Sequence, residues 1–367
     1  IASAYNYNTK TDVVSARIRK YESARAAALS GDNIPAEVYD NLVAEVHKNL
    51  PAMHRYVELR KKLLGVDKLY MYDMYVPLIK LPETSVSFEE GLDIMRDALQ
   101  PLGEEYLTKM NKGIEEGWID VYENKGKTSG AYSFGCYDSY PYILLNYTDT
   151  LKDVFTIIHE MGHSMHSRYT RDEQPYIYGS HSIFTAEVAS TVNESLLMQH
   201  LLRTEDEKEM RKYLLNMHLE EFRTTLFRQT MFAEFEDITH KAIESGETLT
   251  AEWMCQQYED LNAQYYGSAV EKDDVIRYEW ARIPHFYNAF YVYKYATGYS
   301  AATAISKKIL TEGKPAAQDY IRFLKTGESD HPIELLKIAG VDMSSPLPVQ
   351  QAMETFNQLL DEFESLL

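Results

Sequence analysis

Residues 150–168, TLKDVFTIIHEMGHSMHSR, constrain the fold more than any other stretch of the chain. Thr150 and Asp153 read as a capping box, which fixes where a helix begins. At about 100° per residue, Val154, Ile157, Ile158, Met161 and Met165 fall on one face of that helix. His159 and His163 fall nearly opposite, one turn apart. The apolar stripe has to be buried against a core, yet the two imidazoles are kept side by side and aimed elsewhere. The chain must therefore be built around this helix and must place something useful against its histidine face.

The rest of the sequence predicts a mainly α-helical surround. Helices are expected over 12–29, from near Pro35 and near Pro51, and over 87–99, where Ser87 and Glu90 make a second capping box. Later ones are expected over 151–168, 183–202, 206–244, 251–266, 286–310, 316–325 and 348–367. Two short β segments interrupt this pattern, one around Trp118–Tyr122 and one over Tyr140–Tyr147, sequence YPYILLNY. Pro141 at the start of the second predicts an edge strand, and an edge beside the histidine helix could bind an extended peptide by strand addition. No linker or internal repeat divides the chain.

His159, Glu160 and His163 form HExxH. Histidines at i and i+4 on a helix can share one Zn²⁺, and the Glu between them is placed to take a proton from an activated water. A third ligand is needed, and three residues are candidates. His166 points the right way but lies about 10 Å along the axis from His159. Glu187 sits in the next helix, which can return antiparallel to the zinc, and Glu194 shares its face seven residues on. Geometry favours Glu187 as ligand and Glu194 as a partner orienting a ligating imidazole. A structural zinc site would close with four ligands, commonly including Cys. Cys136 and Cys255 supply no such set.

Composition narrows the partners. A formal charge of −19 over 367 residues argues against a nucleic-acid surface, which needs clustered Lys and Arg. No run approaches the roughly 20 apolar residues of a membrane span, so no membrane partner is expected. Two cysteines without a CxxC pattern point to a reducing compartment.

The runs VFTIIHEMGHSMHS (154–167) and FTAEVAST (184–191) resemble the oligoendopeptidase F branch of the thimet oligopeptidase-like (M3) zinc metallopeptidases. Similarity continues through YDMYVPL (72–78), SFGCYDSYPYILLNY (133–147), QTMFAEFE (229–236) and RIPHFYNAFYVYKYATG (282–298), covering nearly the whole chain.

This resemblance implies a zincin-like (gluzincin) multi-helix catalytic lobe with a small β-sheet beside the HExxH helix. It implies one Zn²⁺ held by His159, His163 and Glu187, with Glu160 as general base, acting on internal bonds of oligopeptides in the cytoplasm. It also implies a His and Tyr pair stabilising the oxyanion. The motif match assigns these to His285 and Tyr293, with Tyr287 and Tyr291 as substitutes because the His-to-Tyr spacing departs from the family pattern. Full-length relatives carry an additional N-terminal helical lobe. With HExxH at 159 and Ile1 at the start, residues 1–367 are expected to be the M3-type catalytic region with that lobe absent.

Overall fold

The computed structural model describes residues 1–80 and 85–367. Helices α1 (Ala2–Ile18), α2 (Ala24–Ser30), α3 (Ala36–Lys48) and α4 (Leu50–Leu64) open the chain. The single helix expected over 12–29 is thus two. Lys20 takes a left-handed φ of 65°, which a continuing helix cannot accommodate, and Ser23 caps the restart by accepting from the Ala26 N–H. Helices α5 (Phe88–Ala98) and α6 (Glu104–Glu115) follow, and Ser87 and Glu90 form the expected capping box on α5.

A three-stranded sheet comes next: β1 (Ile119–Asp120), β2 (Tyr132–Phe134) and β3 (Tyr142–Leu144), ordered β1-β3-β2. β3 runs parallel to β1, pairing Ile143 with Ile119, and antiparallel to β2, pairing Ile143 with Ser133. The YPYILLNY segment is therefore the central strand, not the expected edge. Pro141 stands just before the paired residues, so its missing N–H falls outside the ladder. The edge beside the histidine helix is β2, whose three residues are too few for periodicity to reveal.

Helix α7 (Leu151–Glu173) begins at the Thr150–Asp153 capping box, with Thr150 Oγ accepting from the Asp153 N–H. Its apolar stripe is fully buried: Val154, Ile157, Ile158, Met161 and Met165 are each 0 % exposed. Helix α8 (Ile183–Thr204) packs along it. Asn193 donates to the Ile158 carbonyl at 3.1 Å, while Ser190 backbone lies over Gly162. Partners thus descend along α8 as they ascend along α7, so the two helices are antiparallel.

The stretch expected as one helix over 206–244 is α9 (Lys208–Glu221), a π-helical turn (Phe222–Phe227) and α10 (Arg228–Glu244). Then come α11 (Ala251–Tyr266), α12 (Tyr293–Glu312), α13 (Lys314–Leu324), α14 (Pro332–Ile338) and α15 (Leu347–Leu366). The helix expected from 286 starts only at Tyr293, after 3₁₀ turns at Ile276–Arg282 and Pro284–Tyr287. Small buried residues of α12, among them Ala296, Ser300, Ala301 and Ala304, let it lie close against α8. Ser195 and Ser306 hydroxyls meet across that contact at 2.7 Å. α8 is thereby clamped between α7 and α12, which fixes the side chains projecting from its exposed edge.

Candidate metal centre

His159 and His163 project from α7 with their Nε2 atoms 3.2 Å apart. Glu187, on the first turns of α8, brings Oε2 to 3.4 Å from His159 Nε2 and 3.3 Å from His163 Nε2. The three donor atoms lie within 4.8 Å of one another. Ser190, one turn on, donates its hydroxyl to Glu187 Oε2 at 3.1 Å and so holds the carboxylate in place. Glu194 Oε2 sits 3.2 Å from His159 Nδ1. A carboxylate there fixes the tautomer that leaves Nε2 as the metal-facing nitrogen.

Close approach of the two helices makes this convergence possible. A Cβ at Gly162 would meet the Ser190 Cα at 2.6 Å and the Ala189 carbonyl oxygen at 2.7 Å. Only glycine admits that separation. On its other side, α7 is tied to the sheet: Ser164 Oγ bonds Ser133 Oγ at 2.7 Å and donates to the Pro141 carbonyl at 3.1 Å. These contacts set the β2 edge alongside Glu160.

The electrostatics suit a cation. Burial lowers the His159 pKa, but the hydrogen bond and charge of Glu194, with Glu187 and Glu160, outweigh it and push it up to about 9. Burial raises Glu187, but the adjacent histidines and Ser190 pull it down to about 2. Burial and the charge of Glu187 push the Glu160 carboxyl above its ordinary value, opposed by both histidines and by the Ser133 backbone. An imidazole pulled toward the cationic form, as His159 is, marks a site of negative potential. Two imidazole nitrogens and one carboxylate oxygen are also the donors zinc takes in catalytic sites. The residues fit the metal that the motif implies.

His166 does not join the cluster. Its ring is buried, stacked on His181 at 3.8 Å between centroids and packed on Phe323. Burial holds its pKa well below the ordinary value.

The expected oxyanion pair is divided. His285 lies on the exposed 3₁₀ turn. Tyr293 is in the core, 1 % exposed, its ring against Tyr39 and Phe184. This corrects the expectation of Tyr293 beside His285: α12 starts at Tyr293, and residues 293 and 295 then point about 200° apart. Tyr295, not Tyr293, is the tyrosine that meets His285. Its hydroxyl is 3.5 Å from His285 Nε2, and Tyr291 stacks on the His285 ring. Burial, Tyr291 and the charge of Glu187 together push the Tyr295 phenol above its ordinary value. Tyr287 is exposed and turns its ring edge to Tyr5.

Comparison with known proteins agrees with this architecture. Peptidase family M3 matches residues 3–355. Over 367 residues the chain is 53% identical to oligopeptidase PepF of Bacillus subtilis, covering 100% of this chain and 55% of that protein. It is 46% identical over 366 residues to the plasmid-encoded oligoendopeptidase F of Lactococcus lactis subsp. cremoris, covering 100% of this chain and 61% of that protein. Among solved structures, a putative peptidase from Chlamydophila abortus superposes with a TM-score of 0.94 at 43% identity, and oligoendopeptidase-F from Enterococcus faecium with 0.82 at 42%. All of this chain is covered in both cases, with 61% and 59% of those chains. The chain thus spans between about half and two thirds of the length of the relatives it matches. With the match running over almost every residue, the chain belongs to peptidase family M3.

Proposed function

We propose that residues 1–367 form the catalytic region of a zinc-dependent endopeptidase that hydrolyses internal bonds of oligopeptides in the cytoplasm. The convergence of His159, His163 and Glu187 with Glu160 at its side carries this reading. The relatives' names, oligopeptidase and oligoendopeptidase, suggest the substrate class. Among the described residues no helix is long and apolar enough to cross a membrane, and both cysteines are unpaired.

His159, His163 and Glu187 would hold the zinc, and Glu194 would orient His159. Zinc, when bound, supplies Lewis-acid polarisation and makes water nucleophilic near neutral pH. Glu160 takes the proton from the attacking water and passes it to the leaving amine. Its burial, at 7 % exposure, keeps bulk water from competing for that proton. Tyr295 and His285 donate toward the oxygen that becomes negative in the tetrahedral intermediate. β2, unpaired on its outer side among the described residues, offers backbone groups to an extended peptide, with Tyr132 and Phe134 exposed to contact its side chains.

The decisive test is Glu160→Gln. Zinc content should stay at one per chain while hydrolysis of an internally quenched, end-blocked peptide drops at least ~10²-fold. Undiminished hydrolysis by this variant rules out the assignment of Glu160. An absence of zinc from the wild-type protein rules out the metal centre.

A further inference from the structure

Between the 3₁₀ turn bearing His285 and the start of α12, the chain reverses at Phe290, whose φ is 56°. A bulky residue in the left-handed region is costly and persists only where surrounding contacts hold it. Here α10 supplies them. The Glu236 carboxyl, 0 % exposed, accepts the Phe290 N–H through Oε1 at 3.0 Å. One turn along the same helix, the His240 ring packs at a tilt against Phe290, 4.6 Å between centroids, and its Nδ1 bonds the Glu236 carbonyl at 2.7 Å. Tyr39 also meets the Phe290 ring, edge-on at 6.1 Å between centroids. Among the described residues, Glu236 Oε2 has no partner. The only side-chain hydrogen bond of this buried carboxyl, among those residues, is therefore the one to the strained amide.

We propose that Glu236 is a positioning residue for the reaction: by accepting the Phe290 N–H it locks the reversal that brings Tyr291 and Tyr295 against His285. This rests on the peptidase reading above for its catalytic consequence, but not for its structural one. Residue 290 is the pivot between the two halves of the oxyanion group. His285 lies five residues before it and Tyr295 five after, and they meet only because the chain doubles back there. Burial pushes the Glu236 carboxyl well above its ordinary range, which favours the neutral acid, and a glutamine amide keeps an acceptor oxygen at the same place.

The experiment compares Glu236→Gln, which keeps an acceptor oxygen, with Glu236→Leu, which keeps the approximate size and loses it, both zinc-loaded. Glu236→Leu should lower kcat about 30- to 100-fold, with KM and zinc content unchanged, because misplaced donors cost turnover rather than binding. Glu236→Gln should stay within about threefold of wild type, since its amide oxygen preserves the contact. Hydrogen exchange should find the Phe290 amide protected in wild type and Glu236→Gln, and exchanging faster in Glu236→Leu over residues 284–295. Wild-type turnover in the Leu variant, or an equal loss in both variants, overturns the proposal. So does rapid exchange at Phe290 in wild type, a measurement that stands even if the Leu variant does not fold. Should the wild type fail to cleave peptides while the exchange pattern holds, the peptidase reading fails and the support of the reversal by Glu236 stands.

Discussion

Gly162→Ala should separate the two halves of the metal centre without altering any donor. The added Cβ would lie 2.6 Å from the Ser190 Cα, 2.7 Å from the Ala189 carbonyl oxygen and 2.8 Å from the Ser190 nitrogen. All three are backbone atoms, so no side chain can swing aside, and α8 itself has to retreat. Ordinary contact begins near 3.4 Å, which demands a shift of about 0.8 Å. Glu187 rides on α8 one turn before Ser190 and would move with it, away from histidines now 3.3 and 3.4 Å distant. A ligand constellation tolerates only about 0.5 Å of such error. Zinc affinity should fall at least on the order of tenfold, and overpacking should cost about 1–3 kcal/mol of stability. Competition against a chromogenic chelator reads the first effect, and urea unfolding of the zinc-free protein the second. Gly298→Ala is the control: it too sits in a helix, but its Cβ would meet nothing within 4 Å. It should be neutral or stabilising by up to about 1 kcal/mol. If Gly162→Ala bound zinc like wild type and unfolded at the same urea concentration, the inference that this contact sets the metal geometry would be wrong.

Removing the carboxylate behind His159 by Glu194→Ala should weaken zinc binding about 10- to 100-fold with the three ligands intact, measured by the same chelator competition. Tyr295→Phe should lower kcat about 10²-fold, as loss of an oxyanion donor does, whereas Tyr293→Phe should leave kcat unchanged; steady-state kinetics on one blocked peptide compares them. His218 is buried, and burial pushes its pKa down to about 4. The unfolded chain takes up that proton first, near pH 6.5, so this contribution to stability is complete above pH 6.5 and is lost as pH falls toward 4. His218→Gln should therefore remove about 2 kcal/mol of the wild-type loss between pH 7 and pH 5, read from urea unfolding at each pH.

Much of the fold is legible in the sequence because the signals are local. The capping boxes at Ser87 and Thr150 mark the starts of α5 and α7. The apolar stripe of α7 names its buried face residue by residue. What the sequence conceals depends on partners distant in the chain. Pro141 reads as an edge signal, but whether a strand has neighbours on both sides is decided by β1 and β2, not by its own residues. The π-helical turn at Phe222–Phe227 preserves the direction of the chain, so periodicity alone runs α9 and α10 together.

The same division runs through the candidate site. His159, Glu160 and His163 are fixed by helix geometry alone, and Glu187 follows once α8 is taken as an antiparallel neighbour of α7. Gly162 was a visible clue to how closely that neighbour comes. The tyrosine is another matter. Tyr293 and Tyr295 have the same chemistry, and which of them meets His285 depends on the residue at which α12 begins. That start is set by the left-handed turn at Phe290, and the turn is held by a carboxyl 54 residues earlier. No window of sequence around 285–295 contains Glu236, so helical periodicity carried back to residue 286 rotates every side chain onto the wrong face. The tyrosine that meets His285 is in this way chosen by a buried hydrogen bond that touches neither Tyr295 nor His285.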